Sequence, residues 1–203
     1  MKYDLFDEIT KKYGYWSSWA IWGNVSDSPK SNVGDLTIFQ DKKNIDILKP
    51  NIILVGLNIS RGAIKEPLAN FHDKRSEATD FKIRYALSET QIWGAYMTDL
   101  IKDYDQKESG KVIKHLRENT ELVLENINIF EKELQDLQQE NYILIAFGRD
   151  VYSLLRKYFK ERFKILHIPH YASYCSKERY REQVLQVLNE SSLFSSLPIN
   201  SEN

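Results

Sequence analysis

The chain has 203 residues, with 28 basic and 29 acidic side chains and a formal net charge of −1. That length suits one domain, and 42% hydrophobic with 12% aromatic residues excludes a chain disordered throughout. A single cysteine, Cys175, excludes an intramolecular disulfide, a cysteine-rich zinc site and a cysteine-held iron–sulfur cluster.

Residues 1–14 are charged and helix-patterned rather than signal-like, and no apolar run reaches the roughly 18 residues of a membrane span. A cytoplasmic chain that does not enter a membrane is expected. Residues 1–50 read as a helical extension packed on the main domain. Within it Trp16, Trp19 and Trp22 recur every third residue and are expected on one helical or turn face. Residues 51–57 (NIILVGL) form an apolar run after a proline and predict a buried parallel strand. A loop over 58–70 follows, then an amphipathic helix around 76–88. Residues 93–98 (WGAYMT) predict a second strand, and 103–111 a surface loop.

The clearest helix is 119–139, where Val123, Ile127, Phe130, Leu134 and Leu137 line one face. Residues 142–147 (YILIAF) predict a third strand. Gly148 then turns into a helix with Val151, Leu154, Leu155 and Tyr158 inward. Residues 163–168 predict a fourth strand, 169–176 a loop and 177–189 a last helix. The Ser- and Asn-rich stretch 191–203 predicts a flexible tail. Strands alternating with helices predict one α/β domain over 1–190 with a mainly parallel, four-stranded sheet.

Parallel sheets carry ligand sites at the carboxyl ends of their strands. The residues there are Asn58 to Gly62, then Asp99, then Gly148, Arg149 and Asp150, then His170 and Tyr171. GLNISRG (56–62) is neither a P-loop nor a GxGxxG turn, so phosphate-loop and dinucleotide readings are poor. By itself Asn58 fits a turn cap as well as a ligand contact. His115 and His167 have no partner at metal-ligand spacing, and no serine-hydrolase elbow is present.

Taken in order, GLN at 56–58, Phe71, AYMTD at 95–99, AFGRD at 146–150 and IPHYAS at 168–173 resemble the uracil-DNA glycosylase superfamily. The resemblance runs from about residue 51 to residue 188. It is nearest the mismatch-specific and single-strand-selective branches, which have Gly-x-Asn in the first motif. It implies a three-layer α/β/α fold and hydrolysis of an N-glycosidic bond in DNA, with the target nucleotide flipped into a pocket. It implies a monofunctional enzyme, with no lysine placed for a Schiff base and no metal or organic cofactor. DNA is the implied partner, for repair of deaminated or mispaired bases or for attack on modified bases in foreign DNA. A monomer is expected.

The resemblance assigns catalysis to Asn58, which would hold the attacking water, and to His170, which would donate to the departing base. Phe71 would stack on the flipped base, with Gly56 and Leu57 beside it. Ser60, Arg61, Arg149, Tyr171 and Ser173 would meet the DNA backbone. Two departures stand out. The last motif reads His170-Tyr171-Ala172, with Ser173 one place later than usual. Asp99 stands where the family reads the base with an asparagine. A carboxylate accepts from the amino group of cytosine, and burial favours its protonated form. An amino-bearing base, such as a modified cytosine, is therefore an expected alternative to uracil.

The net charge is a cancellation. Residues 118–140 are strongly acidic, whereas 149–182 and 61–84, which carry the proposed site, are basic. His72 to Arg75 could meet phosphate or form a solvated loop. Two other readings stay open: an inactive DNA-binding module of this fold, and a nucleotide- or phosphate-binding protein using the same crevice.

Overall fold

The computed structural model describes residues 1–59, 64–102, 104, 106 and 108–191. The chain opens with α1 (Tyr3–Tyr13) and β1 (Ser17–Trp19). A short 3-10 helix (Leu36–Gln40) and α2 (Lys42–Asp46) lead into β2 (Lys49–Asn58). Then come α3 (Asp80–Leu87), β3 (Ala95–Ile101), α4 (Ser109–Glu118) and α5 (Thr120–Asp136). β4 (Ile143–Phe147), α6 (Arg149–Phe159), β5 (Lys164–Ile168) and α7 (Lys177–Glu190) complete the fold.

The sheet has five strands in the order β1-β3-β2-β4-β5. β3, β2, β4 and β5 run parallel, and β1 pairs antiparallel with β3 at one edge. The expected count of four strands is therefore corrected to five in a mixed sheet. The N-terminal 50 residues are not purely a helical extension, because they supply the edge strand. The every-third tryptophan spacing misled: Trp19 sits in β1 with its ring edge-on to Tyr96 of β3, and no helix spans the three tryptophans. The surface loop predicted at 103–111 gives way to α4 at Ser109. Val112 and Leu116, four apart, bury that helix. The predicted tail falls almost wholly on 192–203, outside the described residues.

Alternation along the strands sorts side chains to two cores. Ile53, Val55 and Leu57 of β2, with Leu144 and Ala146 of β4, meet the apolar faces of α1, α4, α5 and α6. Ile52 and Leu54, with Ile145 and Phe147, meet α3 and α7. Helices thus cover both faces of the sheet. The connection from β2 through α3 leads to β3 on one side. The connection from β4 through α6 leads to β5 on the other side and over the opposite face. The two connections part above β2 and β4, which opens a crevice at their carboxyl ends.

Candidate active site

Gly56 stands in β2 in register with Asp99 of β3. A Cβ added at Gly56 would lie 2.1 Å from Asp99 Oδ1 and 3.4 Å from Phe71 Cζ. Only a glycine leaves room for the carboxyl and the ring together. The same alternation that points Gly56 at this site sends Leu57 into the opposite core, where it is buried. Leu57 can contribute only backbone to the site.

Phe71 is held in the left-handed region at φ 64°, which is costly for a bulky side chain. Two buried neighbours brace the segment. Trp22 Nε1 donates to the Phe71 carbonyl at 3.3 Å, and Ser18 Oγ donates to the Leu68 carbonyl at 2.8 Å. The Phe71 ring is nearly covered. It packs 6.1 Å from Phe147 and 6.4 Å, edge-on, from Tyr171.

Asp99 is 4% exposed, and burial pushes its carboxyl up to about 6. Asn70 Nδ2, at 2.9 Å from Oδ2, and the charge of Lys102 pull the other way. Lys102 Nζ donates to the Asp99 carbonyl and to Thr98 Oγ1, both at 2.6 Å. It also pairs at 2.6 Å with Glu133 of α5. Both ion-pair side chains are fully buried. Asn70, Lys102 and Glu133 all escaped sequence reasoning. The available signal for Asn70 was its position directly before Phe71. For Lys102 it was a cation one residue past β3.

His170 follows β5 and stands above Gly148, the N-cap of α6, whose φ is +89°. Its Nδ1 faces the Ala172 backbone N–H at 3.1 Å. That group can only donate, so Nδ1 accepts and the ring proton sits on Nε2. Desolvation by neighbouring groups lowers the imidazole pKa, although the residue keeps an exposed face. The ring stacks on Tyr171 at 4.5 Å. Lys82 of α3 fixes this turn by donating to the Ser173 carbonyl at 3.0 Å and the Cys175 carbonyl at 2.8 Å.

Phe71, His170 and Tyr171 line one cleft of about 400 Å³, together with Asn70 and, at the rim, Lys65 and Lys74. Asp99 and Gly56 are not among its lining residues; they adjoin it through Phe71, whose ring and the Asp99 carboxyl both border the space beside Gly56. Asn58 is not among the lining residues, although its neighbour Ile59 is. The Asn58 amide donates to the carbonyls of Ile59, Tyr104 and Gln106 at 2.8–3.1 Å, which turns Nδ2 to the loop after β3. Ser173 is half-buried, and Arg149 is exposed at the first position of α6. Ser60 and Arg61 lie outside the described residues. Of the 72–75 stretch, His72 is buried between the carbonyls of Val33 and Trp19, and Asp73 grips the Arg75 guanidinium. Its reading as a phosphate contact therefore narrows to the exposed Lys74.

Among the described residues, no group of three His, Cys, Asp or Glu side chains could hold a metal ion. No described helix is long and apolar enough to cross a membrane. A scan against protein-family models finds no match, and a search of curated proteins finds no similar sequence.

Proposed function

We propose that the chain is a monofunctional DNA glycosylase of the uracil-DNA glycosylase type, acting on a flipped uracil-like or modified cytosine base. The observation that carries this reading is the meeting of Phe71 and the Asp99 carboxyl at Gly56. An aromatic face beside one hydrogen-bonding group suits a planar base, and the adjoining cleft is lined by charges of both signs, Lys65, Lys74 and Arg75 with Glu66, Asp73 and Asp80.

In this reading the base enters against Phe71 and is read by Asp99. The neutral His170 ring offers Nε2–H to the base as it leaves with negative charge. A donor held neutral stabilises the anion without having to transfer a proton. Asn58, with its amide nitrogen tied to the loop, would orient a water toward the sugar carbon through its carbonyl oxygen. Lys65 and Lys74 are suited to flanking phosphates.

A base-release assay on oligonucleotides carrying single uracil, hypoxanthine, cytosine or modified cytosine tests the reading. Wild type is expected to free at least one of these bases. His170→Ala is expected to slow release by about 10²–10³-fold, the usual cost of losing one such donor. Asn58→Ala is expected to slow it as well. A chain that frees no base from any substrate fails the reading.

A second reading, a module that grips DNA without cutting, is favoured by the engagement of the Asn58 amide and its absence from the cleft lining. It predicts tight oligonucleotide binding, unchanged by Asn58→Ala, with every base left attached.

A further inference from the structure

We propose that Asn70 is a specificity-determining residue: it occupies one oxygen of Asp99, so a pyrimidine is read at its N3 position by the other oxygen alone. The proposal rests on the glycosylase reading and names how its pocket chooses a base.

Asn70 is held by its amide from two sides. Its Nδ2 lies 2.8 Å from the Trp16 carbonyl and 2.9 Å from Asp99 Oδ2. A carbonyl can only accept, so the nitrogen, not the oxygen, must face Trp16. Both amide hydrogens are then committed, one to Trp16 and one to Asp99. Asp99 Oδ2 is therefore an acceptor whether the carboxyl is ionised or neutral. The more basic, carbonyl-type oxygen is the better acceptor for Asn70, so a proton that Asp99 carries is favoured on Oδ1, the oxygen that crowds Gly56 beside Phe71.

One oxygen with a variable proton can separate two bases. At position 3 uracil carries N–H and cytosine carries a lone pair. Ionised Oδ1 accepts from the first, and protonated Oδ1 donates to the second. Among the described residues, the charged groups that act on this carboxyl are Lys102, just past β3, and Glu133, from α5. They pull its titration in opposite directions and are themselves paired in the core. Burial places the change of state near pH 6. Uracil is thus favoured on the alkaline side and a cytosine-type base on the acid side. Without Asn70, Oδ2 becomes free to share the proton and the contact, and the two states are no longer sorted to one atom.

The experiment measures base release from oligonucleotides carrying uracil, cytosine or 5-modified cytosine, at about pH 8 and about pH 5. Wild type, Asn70→Ala and Asp99→Asn are compared as full chains, with thermal melting as the check on folding. In wild type the uracil-to-cytosine-type ratio of kcat/KM is expected to fall by about tenfold or more on acidification. In Asn70→Ala this pH dependence is expected to shrink to within about twofold. Asp99→Asn must turn its own oxygen to the Asn70 N–H and its NH2 to the base. It is expected to hold the wild-type acid ratio at both pH values, and it keeps the test decisive if Asn70→Ala does not fold. A ratio that is insensitive to pH in wild type, or that follows wild type in both variants, overturns the proposal while the glycosylase reading stands. A wild type that releases no base overturns both.

Discussion

At the residue scale, Gly56 couples fold and site most tightly. Its replacement by alanine would put a methyl 2.1 Å from Asp99 Oδ1, and Asn70 holds that carboxyl from the other side. The Phe71 ring cannot retreat freely, because Phe147 and Tyr171 pack against it. Gly56→Ala is expected to destabilise the chain by about 1–3 kcal/mol, as overpacking in a core does. Base release is expected to fall by more than the loss of folded protein explains. Gly110 is the contrast. It lies in α4, and an added Cβ there meets nothing within 4 Å. Gly110→Ala is expected to stabilise by about 0.5–1 kcal/mol through the helix alone. Urea unfolding of the two variants, with release kinetics on each, separates a crowded site from a merely permissive glycine.

At the element scale, β2, β4 and β5 were legible because buried strands write themselves as short apolar runs. α5 was legible because its apolar period spans more than four turns. β1 was not, since three residues with a tryptophan every third position carry no period of two. α4 hid behind Ser109 and Gly110, which read as loop. The strand-end positions of the site, Gly56, Asp99 and His170, followed from topology and motif order. The polar supports did not. Asn70 meets Asp99 across 29 residues and Lys102 meets Glu133 across 31, and on a linear chain each looks like a surface residue. The Lys102–Glu133 pair pins the end of β3 to α5 and grips the Asp99 backbone. Lys102→Met would leave Glu133 charged in the core with, among the described residues, only the Tyr96 and Thr98 hydroxyls as donors. The expected loss is about 3–5 kcal/mol. Adding Glu133→Gln neutralises the orphaned acid and should recover part of that loss. Equal stability of the single and double variants in chemical denaturation would show that the buried charge is not what costs.

At the scale of the whole molecule, two buried groups set opposing pH slopes on stability. Burial lowers His72 from an ordinary 6.5 to about 4 and raises Asp99 from 3.8 to about 6. Between about pH 4 and 6.5 the unfolded chain protonates His72 while the folded chain refuses the proton. This makes stability rise with pH. Between about pH 4 and 6 the folded chain keeps a proton on Asp99 that the unfolded chain has released. This makes stability fall with pH. Each shift corresponds to a stability change on the order of 3 kcal/mol, and the two windows overlap. In wild type their contributions largely cancel from about pH 4 to 6. Asp99→Asn removes one arm. Relative to wild type, its stability is expected to drop steadily on acidification through that window, following His72. His72→Gln removes the other arm, and its stability relative to wild type is expected to drop as the pH rises through the same window. Urea midpoints measured along a pH series read both slopes directly. If the two variants shift in the same direction, the buried carboxyl and the buried imidazole do not hold the proton states assigned to them.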